Sequence, residues 1–151
     1  IMGSTLGANR LDEARSQKNW ILNGAGIFGF FAGLLGCLSI FLIPVVFANL
    51  SPDARIVTRN MVLVMAVYMP AWCYVNAQFA VSRTGGDTTM GVLVDVTTNT
   101  LLTIPGMVLM TFFTAIGPVG MYSLIKLVDI VKIIIAALWL RKEIWVKNLT
   151  V

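Results

Sequence analysis

The chain is organised as four long apolar stretches separated by short polar segments. The stretches cover residues 20–49, 60–82, 90–115 and 118–140. Each has the roughly 20 predominantly apolar residues that an α-helix needs to cross about 30 Å of hydrocarbon. Lipid offers no partners for backbone N–H and C=O groups, and these runs lack the alternation of a barrel strand. The pattern therefore predicts an all-α, polytopic membrane helical bundle with four transmembrane helices.

The polar segments around these stretches predict where the helices begin and bend. The first stretch is longer than one crossing needs, so it is expected to tilt, to bend near Pro44 or to extend along the interface. Residues 11–18 combine good helix formers with mixed charge, which is typical of a loop or an interfacial helix. Ser51 and Pro52 fit the N-cap and the first position of the next helix. Residues 1–4 are expected to be a cut through a longer chain.

Basic residues near the helix ends predict the orientation, because short cytoplasmic loops of membrane proteins carry the excess of Lys and Arg. Four crossings place both ends of the sequence on one side. That side carries Arg10, Arg15, Lys18, Arg83, Arg141, Lys142 and Lys147. The other side carries Arg55 and Arg59. The predicted topology is multi-pass, with residues 1–19 forming a cytoplasmic loop and residues 141–151 a cytoplasmic tail.

Composition agrees with a membrane protein and narrows the chemistry. Charged residues are 12% of the chain and the mean hydropathy is +0.85, whereas a soluble domain carries about 25% charged residues. The sequence lacks the Lys/Arg-rich runs interleaved with aromatic residues that bind nucleic acid. It has no histidine, no paired cysteine spacing and no phosphate-binding glycine loop. We therefore expect no enzymatic activity, no metal, no cofactor and no nucleic-acid partner.

Ionisable residues inside the predicted spans are the first candidate site, because a charge at membrane depth is costly. Lys126, Asp129 and Lys132 are spaced by three and share one helical face. Asp95 in the third span lies at a depth comparable to that of Lys132, which predicts a contact between these two side chains across helices. The charges either neutralise one another and fix the helix register, or they take part in proton or cation coupling.

Aromatic and amide side chains of the second span are the second candidate site. Met65, Tyr68, Trp72, Asn76 and Phe79 recur at offsets of three and four, which places them on one stripe. Such a stripe fits either helix packing or the wall of a wet cavity, and the polar groups favour the cavity. The predicted cavity residues are Tyr68, Trp72, Asn76 and Gln78.

Prolines and glycines inside the spans predict kinks and close packing. Pro70 removes a backbone hydrogen bond from the second span, and Pro105 with Gly106 does the same in the third. Kinks at this depth occur both in moving transporters and in static bundles. Gly29 and Gly33 form a small-xxx-small pattern in the first span, whose partner lies inside or outside this sequence.

The turn between the second and third spans carries a family resemblance. Residues 81–88 read Val-Ser-Arg-Thr-Gly-Gly-Asp-Thr. This resembles the turn that joins the tenth and eleventh helices of the multidrug and toxic compound extrusion (MATE) transporters. Leu-Gly-Ala at residues 6–8, Leu-Val-Asp at 93–95 and Ile-Pro at 104–105 are also similar to that family. By this resemblance the chain covers helices nine to twelve, a C-terminal part of the second six-helix lobe.

The resemblance implies a cation-coupled antiporter of the cell membrane that exports amphipathic or cationic organic compounds and drugs. Its partners would be the N-terminal lobe of the same polypeptide, small organic substrates and the lipid bilayer. Sodium-coupled members often have a carboxylate in the helix matching residues 60–82, where this chain has none, with Trp72 near the expected position. The coupling ion, H⁺ or Na⁺, therefore stays open.

Within the turn, a mechanical role is expected for Arg83, Gly85, Gly86 and Asp87. The two glycines permit backbone angles closed to other residues, Asp87 caps the next helix, and Arg83 marks the cytoplasmic boundary. Other functions left open are a lipid-linked sugar flippase of a related two-lobe fold, which would need a more basic cavity, and a small membrane assembly protein. An intramembrane enzyme has the least support, because Asp95 and Asp129 form no recognisable paired motif.

Overall fold

The chain is all-helical in the computed structural model, which describes residues 2–146. The α-helices are α1 (Met2–Gly7), α2 (Leu11–Ser39), α3 (Ile43–Val46), α4 (Pro52–Thr84), α5 (Thr89–Thr98), α6 (Ile104–Phe113) and α7 (Pro118–Arg141). A 3₁₀ turn at Ile40–Leu42 joins α2 to α3, and a π-helical turn at Asn99–Thr103 joins α5 to α6. No strand occurs among the described residues. The predicted all-α class is confirmed for this part of the chain.

Three helical stretches are long and apolar enough to cross a membrane. They are Leu11–Val46, Pro52–Thr84 and Thr89–Phe113. These stretches support the interpretation of a membrane protein, and they correspond to the first three predicted spans. Helix α7, the fourth, has 24 residues but contains several ionisable side chains, so its composition does not identify it as a span in the same way.

The helix boundaries differ from the predicted spans at two places. Residues 11–18, predicted as a loop or an interfacial helix, form the first turns of α2 without a break. Helix α4 begins at Pro52, well before residue 60, and Ser51 Oγ accepts a hydrogen bond from Ala54 N–H at 3.4 Å. The predicted N-cap is therefore confirmed. Ile1 and residues 147–151, which include the predicted cytoplasmic Lys147 and form the last five residues of the predicted tail, lie outside the described residues.

Helix α4 is the centre of the bundle, with α2 packed on one side and α7 on another. Gly29 and Gly33 of α2 face α4, where a Cβ on Gly29 would lie 2.6 Å from Pro70 Cα. A Cβ on Gly33 would lie 2.5 Å from the Ala66 carbonyl oxygen, the group to which Pro70 has no N–H to donate. The small-xxx-small pattern thus packs inside this chain, against the part of α4 that contains Pro70.

The turn between α4 and α5 is held by hydrogen bonds between Ser82 and Asp87. Asp87 N–H donates to the Ser82 carbonyl at 3.0 Å, and Ser82 Oγ donates to the Asp87 carbonyl at 3.0 Å. Gly86 has φ 81°, the left-handed conformation that favours glycine. Gly85 has φ −84°, which any residue adopts, so the prediction that Gly85 needs an unusual backbone angle is wrong. Gly85 is needed because the Trp145 carbonyl lies where a Cβ would be.

The Asp87 carboxylate collects several donors, which makes it the anchor of this turn. Oδ1 accepts from Thr89 Oγ1 at 2.6 Å and from Met90 N–H at 3.4 Å, so Asp87 caps the start of α5 as predicted. Oδ2 accepts from Trp139 Nε1 at 2.8 Å and from Ser82 Oγ at 3.1 Å. Burial raises the pKa of Asp87, but these hydrogen bonds outweigh it and leave the pKa below its ordinary value.

The segment after α7 folds back over the turn and over the start of α2. The Trp145 side chain is buried and donates from Nε1 to the Leu140 carbonyl at 3.2 Å. Glu143 pairs with both nitrogen sides of the Arg15 guanidinium, at 2.8 and 3.1 Å. The hydrogen bond from Arg15 lowers the pKa of Glu143. One end of the bundle is therefore closed by contacts among α2, α7 and the turn.

Candidate ligand cavity

A cavity of about 550 Å³ opens between α4, α5, the π-helical turn and α7. Its wall contains both charged and aromatic side chains. The residues that line it include Trp72, Asn76, Phe79, Arg83, Gly91, Asp95, Asn99, Thr103, Tyr122, Lys126, Asp129 and Lys132. Five ionisable side chains thus surround one hollow, namely Arg83, Asp95, Lys126, Asp129 and Lys132.

Lys132 lies between two acceptors from the neighbouring helix. Its Nζ is 2.6 Å from Asp95 Oδ1 and donates to Asn99 Oδ1 at 2.9 Å. The predicted contact between Asp95 and Lys132 is confirmed. The two partners differ in exposure, because the Lys132 side chain is 9% exposed and that of Asp95 is 50% exposed. Both side chains line the cavity, and Asp95 is the more exposed of the two.

Lys126 and Asp129 form a second pair within α7. Their Nζ and Oδ2 atoms are 3.3 Å apart, and Lys126 also lies over the Tyr122 ring at 5.8 Å. The spacing by three that predicted a shared face for Lys126, Asp129 and Lys132 is confirmed, since all three line the same cavity.

The π-helical turn brings Asn99 to Lys132, a contact that the sequence analysis did not predict. Pro105 has no N–H to donate to the Leu101 carbonyl, and the chain widens to π-helix over Asn99–Thr103 just before it. Thr103 Oγ1 lies 3.5 Å from Asn99 Oδ1 and also lines the cavity. The sequence signal for this contact was a polar side chain, Asn99, a few residues before Pro105 in the third span.

The α4 wall confirms part of the predicted aromatic stripe. Trp72 and Asn76 line the cavity, and Asn76 Nδ2 donates to the Trp72 carbonyl at 2.8 Å. Tyr68 lines an adjoining apolar pocket of about 260 Å³ with Met65 and Met69. Trp72 and Lys126 belong to both walls, so the two hollows adjoin one another.

Gln78 does not line either hollow, which corrects its prediction as a cavity residue. Its side chain is 1% exposed and Nε2 donates to the Ile133 carbonyl of α7 at 3.3 Å. Two positions from Asn76, it lies about 200° around the helix and therefore faces the α4–α7 contact. Its Oε1 has no hydrogen-bond partner among the described residues.

Arg83 lies on the cavity wall, although the sequence analysis gave it only a boundary role in the turn. The offsets from Trp72 through Asn76 and Phe79 to Arg83 continue the same stripe by one more turn. That continuation was the signal that sequence reasoning missed. Gly85, Gly86 and Asp87, in contrast, lie in the turn and not on the cavity.

Within residues 2–146 there is no group of three or more His, Cys, Asp and Glu side chains placed to hold a metal ion. Cys37 and Cys73 are free thiols. The cavity thus offers paired charges, amides and aromatic rings for binding. Comparison of the chain with protein-family models, curated proteins and solved structures finds no match.

Proposed function

We propose that this chain is a C-terminal part of a MATE-type, cation-coupled antiporter that exports amphipathic or cationic organic compounds. The observation that carries the proposal is the cavity itself, in which aromatic side chains of α4 face the Asp95–Lys132 and Lys126–Asp129 pairs. Intramembrane ionisable residues that face a hollow commonly mark a transport pathway. The turn sequence at residues 81–88 supplies the family expectation.

Under this proposal, α7 is the fourth transmembrane helix and the turn at residues 82–88 lies on the cytoplasmic side. Its ionisable side chains fit a membrane span because Lys126, Asp129 and Lys132 face the cavity and have partners. Large apolar side chains such as Phe28 and Phe113, 69% and 80% exposed, then face lipid or the rest of the transporter in the cell membrane.

Asp95 is the coupling residue that we propose. Half of its side chain is exposed, so H⁺ or Na⁺ arriving through the cavity reaches the carboxylate without unfolding the bundle. A cation bound there weakens the attraction to Lys132, which keeps Asn99 as its neighbour. The competition between the incoming cation and the Lys132 ammonium would link ion binding to the packing of α5 against α7.

Two interruptions of the helical hydrogen-bond ladder supply places for movement. Pro70 interrupts α4 beside Gly33, and the π-helical turn interrupts the third span beside Lys132. Both lie along helices that form the cavity wall, so bending at either position changes the cavity shape.

The test is expression of the full-length protein in efflux-deficient cells, with dye and drug accumulation scored with and without sodium. We expect the full-length protein to export these compounds and so to reduce their accumulation. Asp95→Asn should abolish this export while the protein level stays unchanged. Asp53→Asn is the matched control, because Asp53 is exposed at the start of α4 and does not line the cavity.

The outcomes separate the alternatives. Loss of export when sodium is removed identifies Na⁺ as the coupling ion, and export that persists points to H⁺. Export that continues in Asp95→Asn would refute the coupling role. A correctly inserted protein with no effect on any compound would refute the exporter and leave the flippase and the assembly protein.

A further inference from the structure

The cavity has an excess of positive charge that its own carboxylates do not balance. Three cations, Arg83, Lys126 and Lys132, face two carboxylates, Asp95 and Asp129. Each carboxylate already has a lysine partner, at 2.6 Å for Lys132–Asp95 and 3.3 Å for Lys126–Asp129. The Arg83 guanidinium forms no ion pair or hydrogen bond among the described residues.

The Arg83 side chain lies against the cavity wall and not out in the turn. A Cβ on Gly91 would lie 3.3 Å from Arg83 Nη2 and 3.6 Å from Nε, so the absence of a side chain there leaves room for the guanidinium. A guanidinium presents its N–H groups in a planar fork that matches a carboxylate. Arg83 is thus placed to receive an anionic group from the cavity.

The opposite end of the cavity suits an apolar body. Trp72 lines both the cavity and the adjoining hollow, whose wall also contains Met65, Tyr68, Met69 and Lys126. The rise of α4 from Trp72 to Arg83 is about 16 Å, with Phe79 between them on the same stripe. A molecule with an aromatic body and a charged head therefore contacts rings along α4 while its head reaches Arg83.

We infer that the cavity binds an aromatic amphiphile that carries a carboxylate, with its body along Trp72 and Phe79 and its carboxylate paired with Arg83. This inference rests on the proposed function and, of the two substrate classes named there, assigns the amphipathic class and not the cationic class to this cavity. A cationic head placed there would face the excess positive charge. A pyrophosphate would bring more negative charge than the one unpaired guanidinium balances.

The experiment compares three ligands that share one aromatic body and differ in head charge. They are 1-pyrenebutyric acid, its methyl ester and the corresponding pyrenylbutyl-trimethylammonium. Binding to the full-length protein in nanodiscs is measured by quenching of tryptophan fluorescence, with empty nanodiscs correcting for partition into lipid. We expect the acid to bind at least tenfold more tightly than the ammonium compound.

Variants of α4 test the role of Arg83. Arg83→Gln should weaken binding of the acid by about tenfold and change binding of the ester by no more than about twofold, because the ester has no charged carboxylate to pair with Arg83. Arg83→Lys should restore part of the affinity. Arg59→Gln, a loss of an exposed arginine elsewhere on α4 and off this cavity, should change nothing.

The wild-type protein alone is enough to overturn the inference. Tighter binding of the ammonium compound than of the acid, or equal binding of all three ligands, would do so whatever the variants show. Equal loss of acid and ester in Arg83→Gln would reassign Arg83 to a structural role and also overturn it. Arg83-dependent binding of the acid in a protein that fails the export test would leave the binding site standing and refute the transporter. Export of cationic dyes by a protein that does not bind the acid would refute the binding site and leave the transporter standing.

Discussion

Removing Asp95 and removing Lys132 should have unequal effects on stability, although the two residues form one pair. Asp95→Ala leaves the Lys132 ammonium, whose side chain is 9% exposed, with the Asn99 amide oxygen as its acceptor. Breaking a fully buried pair costs about 3–5 kcal/mol. The remaining hydrogen bond to Asn99 offsets part of that cost, so we expect a loss of about 2–3 kcal/mol in the free energy of unfolding.

Lys132→Met removes the buried charge and leaves the carboxylate, which is half-exposed to the cavity. We therefore expect a loss of about 1 kcal/mol or less. The double variant Asp95→Ala, Lys132→Met should lose about as much stability as Lys132→Met alone, because it leaves no buried charge without a partner. The assay is equilibrium unfolding of the full-length protein in mixed detergent micelles. A loss for Lys132→Met that equals or exceeds the loss for Asp95→Ala would refute this reasoning.

Three further predictions concern the packing and the turn. Gly85→Ala should lower stability by about 1–3 kcal/mol, because the new Cβ would meet the Trp145 carbonyl. Gly24→Ala is the control and should not lower stability, because its Cβ would meet nothing within 4 Å. Thermal unfolding of the two variants measures the difference. Gly33→Ala should separate α2 from α4, and weaker disulfide cross-linking between cysteines introduced on the two helices would show it; unchanged cross-linking contradicts the proposed packing. The lowered pKa of Asp87 means that its contribution to stability is complete above its unfolded pKa of about 3.9 and is lost as pH falls through the lower folded value. Asp87→Asn should therefore flatten the pH dependence of unfolding below about pH 4, and an unchanged acid limb would contradict the assignment.

Patterns of spacing along single helices predicted much of the bundle. The shared face of Lys126, Asp129 and Lys132 follows from helical geometry, and a similar depth in the membrane was enough to pair Lys132 with Asp95. The tight contact at Gly33 likewise follows from a short-range pattern, since few residues allow two helix backbones to approach so closely.

Features that depend on a break in regular structure or on distant contacts could not be read in the same way. Asn99 reaches Lys132 because the helix widens before Pro105, and regular helical spacing does not describe that widening. Gly85 has an ordinary backbone angle, and the reason for its lack of a side chain is Trp145, which lies far away in the sequence. The charge of Arg83 predicted only that it lies at the cytoplasmic boundary. Its position on the α4 stripe also makes it face the cavity.

The position of Trp145 over the Gly85 turn has a consequence for biosynthesis. A chain is made from its N-terminus, so the turn and its Ser82–Asp87 hydrogen bonds emerge before the indole that covers them. Until α7 has been inserted and Trp145 has been translated, the turn lacks both its cover and the Trp139 donor to Asp87. A chain that ends between Arg141 and Trp145 would therefore keep α2 to α7 and leave this end of the bundle open to proteases.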